Sequence, residues 1–595
     1  MRAAKLCFAA KLLFVVAFLL LKAHVLFRYS PQDTSPKLIR NAPLLEFLIP
    51  TLQWIKSVFL ADDGASTFTV KNRQGLLAVN LSTCHTSLSD ANASVYCCPP
   101  KRESDEPEVF DFQFPSPSEP KRIRRPAHLM NEDYIAKYEK AIKIMKQFPY
   151  EDPFNFMRQA DIHCIYCTGA YNQLNSSYWY KIHGSWLFFP WHRILIYFHE
   201  RIVGRLLGDD TFALPYWNWD HPDGMVIPSF YTRGAYLDKD RDRGHLPPKI
   251  ADDNFEFVEK GLGPKEQIAS NLALMYTQMI SGAKKTELFM GCKRFPGEKG
   301  DCDGPGTIEQ APHNTLHAWV GSGLQPERED MGSFYSAARD PIFYAHHANV
   351  DRLWTLWKRK RLKGHEPEFV DPVWLDSYFY FHDENRRLVR IKIRDCLDIE
   401  KLNYGYEEVE LPWLNARPKP SIPPKLARRI LVLREITNNN GRLQLLSEAT
   451  TPYFGAEGRV LDRTIRVKLR RPKRQRSKKD QKDDEEEVLV VYGIDVKKDV
   501  YVKFDVLVNA VDESRTGPKY REFAGTFVNT RHGVRIVKRE GDSTKKTKAM
   551  LKLGISELLA DLKAEDEESI WVSLVPKGGT GVHVAVEGIR IEYMP

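Results

Sequence analysis

The hydrophobic period of this chain changes once along its length, and that change divides it. In NEDYIAKYEKAIKIMKQF (131–148) and HRILIYFHERIVGRLL (192–207) apolar residues recur at three and four positions, which predicts amphipathic helices. Beyond residue 455 the period is two. VYVKFDVLVNAV and VHVAVEGIRIEY predict strands, and LVPKGGTGVHV between two apolar runs predicts a hairpin turn. Between the two regimes, LNARPKPSIPPKLARR (414–429) reads as a proline-rich basic linker, extended and open to proteases. The fold class that follows is a mainly α domain succeeded by a separate antiparallel β-sandwich or barrel. No internal repeat is present.

At 595 residues the chain exceeds one ordinary core, consistent with that division. The N-terminus has a different character. Arg2 and Lys5 precede LLFVVAFLLL (12–21), which Lys22 ends, giving the shape of a secretory signal. Counted from Leu6 to Phe27 the same stretch can serve as a signal anchor, the one membrane attachment the sequence offers. The first 29 residues contain no serine or threonine, which argues against an organelle transit peptide.

Charge narrows the partners. The net +9 comes from 87 basic and 78 acidic residues, and the densest basic run, RVKLRRPKRQRSKK, passes straight into DQKDDEEE. This is a self-neutralising exposed loop rather than a nucleic-acid surface. Clustered cysteines (Cys84, Cys97, Cys98; Cys164, Cys167; Cys292, Cys302) suit an oxidising lumen, and Asn80, Asn92 and Asn175 begin glycosylation sequons.

The candidate chemistry lies in histidines. KIHGSWLFFPWHR (181–193) places His183 and His192 among aromatics, where a histidine is more often a satisfied core residue. Pro190 argues for a break between them, with His192 opening a new helix, so both rings can face one point. In GTIEQAPHNTLHAWVG, His313 and His317 lie about 40° apart on a helix face. In DPIFYAHHANVDRLW, His346 and His347 diverge by about 100°, so only one can join a common site. Asp351 shares the face of His347 and could orient a ligand ring, and Cys167 shares the face of His163 in QADIHCIYC. Two groups of three histidines without a carboxylate ligand leave open positions at each metal, as oxygen chemistry needs; neutral imidazole suits copper, zinc, iron and nickel alike.

With HCIYC, HGSWLFFPWHR, YWNWD, GTIEQAPHNTLHAWVG and DMGSFYSAARDPIFYAHHANVDRLW together, the chain resembles a plant polyphenol oxidase of the type-3 copper family, which includes tyrosinases, catechol oxidases and haemocyanins. DCLDIEKLNYGYEEVELPWL and VYVKFDV resemble the two plant-specific modules behind the catalytic domain. The resemblance implies a four-helix bundle holding two copper ions per chain. His163, His183 and His192 would bind the first, and His313, His317 and His347 the second. It implies a thioether between Cys167 and His183, and disulfides Cys84–Cys98 and Cys97–Cys164. Cys292–Cys302 has no counterpart in the family pattern and reads as an added disulfide. Phe334, thirteen residues before His347, would partly cover the site. Glu309 and Asn314 would hold a water that takes the phenolic proton, against the alternative that Glu309 anchors a loop and Asn314 caps a helix turn.

The implied organisation is a signal segment (1–29), a lead-in (30–79), the dicopper domain (80–365), an extension packed on it (366–415), the linker (416–454) and a β domain that shields the site (455–595). The implied function is oxidation of o-diphenols to o-quinones with O2 reduced to water, with some monophenol hydroxylation and latency until an activating protease acts. A narrow biosynthetic phenol oxidase of aurone or lignan type, or a haemocyanin-like oxygen carrier, are the alternatives. The compartment implied is the secretory pathway ending in the vacuole lumen, with the thylakoid lumen of typical members as the alternative.

Overall fold

The structure, a computed structural model, describes residues 75–594 apart from 89–93, 101–106, 298–299, 301, 323–328, 360–368, 438–453, 456, 473–484, 497–499, 532–533 and 536–547. The signal-like segment therefore lies outside the described residues, as do Cys7 and Asn92. No helix among the described residues is long and apolar enough to cross a membrane.

Helix α1 (Glu132–Gln147) begins where the sequence places it. The Asn131 carboxamide oxygen accepts the Tyr134 amide at 2.9 Å, and Ile135, Tyr138, Ile142 and Met145 form one buried stripe. Helix α2 (Phe156–Cys167) is capped by Asn155, whose side chain accepts the amides of Met157 and Arg158. Helix α3 (Phe188–Leu207) starts two residues before Pro190 and ends at Gly208, whose φ of +63° suits glycine. The expected break thus falls ahead of the proline, which sits in the first turn, where a missing amide costs nothing. Helices α4 (Asn314–Val320) and α5 (Ile342–Lys358) complete the bundle. Behind it, β1 (Tyr378–His382) and β2 (Leu388–Lys392) form a hairpin, and strand Arg122–Arg124 pairs in parallel with Tyr404–Tyr406.

Over its described part, up to residue 437, the linker differs from the expectation of an extended, open segment, while 438–453 lie outside the described residues. Ser421 bonds Glu522 through its amide and hydroxyl, Arg417 pairs with Asp561 at 2.8 Å, and Pro424 opens helix α6 (Pro424–Thr437). Proline in a first turn is compatible with a helix, so PPKLARR initiates one instead of preventing it.

The C-terminal strands are β3 (Ile465–Arg470), β4 (Glu486–Val496), β5 (Val502–Val508), β6 (Phe523–Asn529), β7 (Ala549–Gly554), β8 (Ser569–Pro576), β9 (Val584–Val586) and β10 (Gly588–Met594). One sheet runs β3–β8–β5–β6, all antiparallel. In the other, β4 pairs with β7, β10 and β9, and β9 continues to Arg459–Val460. Leu469, Val491, Phe504, Val506, Val572 and Ile589 belong to the core that the two sheets enclose. The expected hairpin at LVPKGGTGVHV is not formed. Both edges of β8 are taken by β3 and β5, so the chain crosses through a 3-10 turn (Thr580–His583) to join the opposite sheet as β9. The β domain packs on the helical one: Leu274 and Ala311 share a buried cluster with Leu507, Phe523 and Val575.

Candidate metal centre

Two helix pairs converge on one buried region. Each of α2, α3, α4 and α5 carries one histidine of the predicted set (His163, His192, His317 and His347), while His183 and His313 lie in the segments leading into α3 and α4. One ring nitrogen from each of His163, His183 and His192 lies within 4.8 Å of the others, as does one from each of His313, His317, His346 and His347. The two groups adjoin, since His192 and His347 stack with centroids 4.2 Å apart and planes at 6°.

Main-chain carbonyls settle the tautomers. A carbonyl only accepts, so the Nδ1 atom facing it carries the proton and Nε2 keeps its lone pair. His163 Nδ1 donates to the Phe334 carbonyl at 2.7 Å, His192 Nδ1 to Phe188 at 2.8 Å and His317 Nδ1 to Met331 at 3.0 Å. His313 Nδ1 donates to Asn314 Oδ1 at 2.9 Å and to the Glu309 carbonyl at 3.3 Å. The Nε2 atoms of His313 and His317 are therefore both acceptors, yet stand 3.1 Å apart, and those of His317 and His347 stand 3.3 Å apart. His192 Nε2 is buried without a protein hydrogen-bond partner. Converging buried lone pairs repel unless a cation sits among them, and neutral imidazole nitrogens suit a first-row transition metal such as copper. Burial, then neighbouring histidines, push His192, His313 and His347 well below the ordinary imidazole range, and burial lowers His317 to about 4. These four rings are held neutral, the form that binds metal.

His346, which the divergence of adjacent residues would exclude if His347 is a ligand, lies in the same cluster, its ring stacked on His313 at 5.3 Å and backed by Trp219 at 6.0 Å. Asp351 departs from expectation. Its carboxylate accepts from Arg193 at 2.5 Å, Arg124 at 3.2 Å and the hydroxyls of Tyr404 and Tyr406 at 2.6 and 2.5 Å, so it orients no ligand ring. Two guanidiniums outcompete a neutral imidazole for a buried carboxylate, and they hold Asp351 below its usual range although burial opposes this. Its effect on the centre is indirect, since Arg193 ties α3 to α5.

Phe334 is buried, with its ring stacked on His183 at 4.2 Å and 7° and 5.5 Å from His317. Glu309 Oε1 accepts the Gly184 amide at 2.7 Å, and burial raises this carboxyl well above its usual range. Asn314 Nδ2 reaches the Val528 carbonyl at 3.5 Å. Cys167 is a buried thiol outside any disulfide, raised by burial and then by Glu309. Cys84–Cys98, Cys97–Cys164 and Cys292–Cys302 are all bridged. Sequence reasoning missed Phe188, whose ring lies 4.6 Å from His192 and 4.7 Å from His313. It expected the β domain to shield the site but could not name the residues that lie over it. Gln310 Oε1 accepts the Val528 amide at 2.6 Å, and the Phe334 amide donates to the Arg531 carbonyl at 2.8 Å. An alternating strand pattern carries no mark of what the strand covers.

Three family models match the chain: the common central domain of tyrosinase (residues 153–360), the polyphenol oxidase middle domain (368–419) and the chloroplastic polyphenol oxidase C-terminal domain (457–593). Aureusidin synthase of Antirrhinum majus is 40% identical over 585 residues, covering 96% of this chain and 98% of that protein. A chloroplastic polyphenol oxidase of Malus domestica is 42% identical over 502 residues, covering 84% and 81%. The solved structure of latent apple tyrosinase superposes with a TM-score of 0.71 at 42% identity, over 82% of this chain and all of that one. Sequence, fold and histidine geometry agree, and the chain belongs to the plant polyphenol oxidases, dicopper oxidoreductases of the tyrosinase family.

Proposed function

We propose that the enzyme oxidises o-diphenols to o-quinones, that His163, His183 and His192 hold one copper and His313, His317 and His347 the other, and that the uncut chain is latent. The observation that carries this is the set of imidazoles whose Nδ1 protons are fixed outward on carbonyls while their Nε2 atoms converge. Copper bound there would supply the redox chemistry, two catechols giving two quinones while one O2 becomes two waters. The protein's part is geometric. Phe334 covers His183 and narrows the approach, leaving the second group as the side a planar phenol reaches. Cys167, placed one helical turn after His163, is our candidate for a thioether to His183, which would stiffen that ring.

Latency rests on Val528–Arg531, seated on Gln310, Asn314 and Phe334. Chain scission near residue 415 that releases the β domain should raise catechol oxidation severalfold. A folded, copper-loaded chain ending there with unchanged activity would defeat the shielding role. Copper analysis should give two per chain, and full activity with one, or with zinc alone, would defeat the triads.

Monophenol hydroxylation is a finer part of the same reading. A phenol ionises near pH 10, so it needs help to lose its proton at neutral pH. We assign that help to a water held by Glu309 and Asn314. Asn314→Gly should lower monophenol turnover well beyond catechol turnover. Because Asn314 also engages His313, equal losses would mean it serves only that ring. The likeness to aureusidin synthase favours a second reading, a narrow biosynthetic oxidase, which a panel of simple catechols against two-ring phenols separates. The three disulfides and the exposed Asn175 sequon favour entry into an oxidising secretory lumen, and we propose the vacuole as its end point. A relative named chloroplastic supplies the alternative, and a tagged chain imaged in leaf cells decides between them.

A further inference from the structure

Residues 291–297 and 302–304 flank the loop that carries His183. The Trp186 amide donates to the Cys292 carbonyl at 2.9 Å, and its indole Nε1 to Gly291 at 2.8 Å. The Gly304 amide donates to the Gly184 carbonyl at 2.9 Å, and the Cys292 amide to Gly304 at 2.7 Å. The buried Arg294 guanidinium donates to the carbonyls of Lys181 and Cys302, joining the two loops. Gly184 has φ +66°, and a Cβ there would come within 2.5 Å of Asp303 Oδ1, so the loops touch without slack. Residues on both sides of His183 are thus hung from one frame, and Cys292–Cys302 closes that frame across a ten-residue separation.

Among the described residues, the second histidine group touches this frame only through the Gly184 amide on Glu309 Oε1. Its rings are fixed by the carbonyls of Glu309 and Met331 and by α4 and α5. His163 and His192 sit on helices. Among the predicted ligands of the first copper, His183 alone is presented by a loop, and that loop depends on the bridged segment.

We infer that the Cys292–Cys302 bridge is a positioning element for His183, and that it governs how tightly the first copper is held without acting on the second. The inference rests on the proposed assignment of His183 to the first copper. Outer partners that orient a metal ligand typically change affinity by about 10- to 100-fold.

The test uses the full-length, copper-loaded chain. Wild type, the double variant Cys292→Ser/Cys302→Ser, and Arg294→Ala are titrated with a copper chelator, with copper per chain and the thermal midpoint recorded. His183→Ala marks which copper is the first. In the double variant, one copper per chain should leave at about 10- to 100-fold lower chelator, the same one that His183→Ala lacks, while the other stays at the wild-type value. Arg294→Ala should shift the same copper in the same direction, which keeps the inference testable if the double variant does not fold. Release of both coppers at wild-type chelator, or an equal shift of both, overturns it. A wild-type chain that never holds two coppers overturns the triad assignment itself, a result distinct from either.

Discussion

At the scale of single residues, the order of the centre comes from atoms that a sequence does not display. The histidines were legible because their types and spacings are rare together. The groups that fix their rings are the main-chain carbonyls of Phe188, Phe334 and Met331, which every residue possesses. Asp351 shows the same limit from the other side. Its spacing from His347 was legible, but its partners Arg124, Tyr404 and Tyr406 come from distant sequence. The adjacent pair His346 and His347 gives a sharp comparison. His347→Gln should lose the second copper, whereas His346→Gln should retain two coppers per chain. Copper analysis of the two variants checks this, and equal loss would make His346 a ligand. Asp238 offers a pH prediction away from the metal. Burial, with Asp340 adding to it, raises this carboxyl from 3.8 to about 6. The folded chain holds the proton across that window, so stability falls as pH rises through it. Asp238→Asn should therefore raise the thermal midpoint at pH 7 and leave it unchanged at pH 4. An increase of the same size at both values would point to packing instead of ionisation.

At the scale of elements, periodicity located the bundle helices and the β domain, and it failed where termination depends on context. The start of α3 at Phe188 leaves Pro190 in a first turn whose amides lack partners in any case. Pro190→Ala should accordingly change stability by less than about 1 kcal/mol, read by urea unfolding. A loss of several kcal/mol would mean that the proline itself ends the preceding loop. Helix α6 was read as linker because prolines and basic residues dominate it, yet both are at home at a helix start and on an exposed face. The crossing from β8 to β9 was read as a hairpin because turn residues say where a chain bends and not which sheet has a vacant edge.

At the scale of the whole molecule, the β domain is joined to the helical one by ion pairs as well as by apolar packing. Lys577 lies 3.3 Å from Glu256 of the helical domain and 3.4 Å from Asp505 of the β domain, and Asp505 is bonded by Lys503 at 2.6 Å. Burial opposes ionisation of Asp505, but the two lysines lower it from 3.8 to about 2. Its contribution is complete above pH 3.8 and is lost as pH falls through about 2. Glu256→Gln and Lys577→Met, alone and together, should show a coupling on the order of 1 kcal/mol in unfolding. Coupling indistinguishable from zero would assign the docking to apolar contact alone.

The seat of the β domain also relies on the peptide backbone. Arg531 receives the Phe334 amide through its carbonyl, Met550 donates its amide to the Asp303 carbonyl, and Val528 donates its amide to Gln310. Backbone groups are the same whatever side chain they carry. Substitution can therefore rewrite much of the contact face while the two bodies stay joined, and descendants with quite different surfaces can inherit the same closed arrangement. A constitutively open descendant is reached more readily by deleting or shifting a strand than by exchanging residues one at a time.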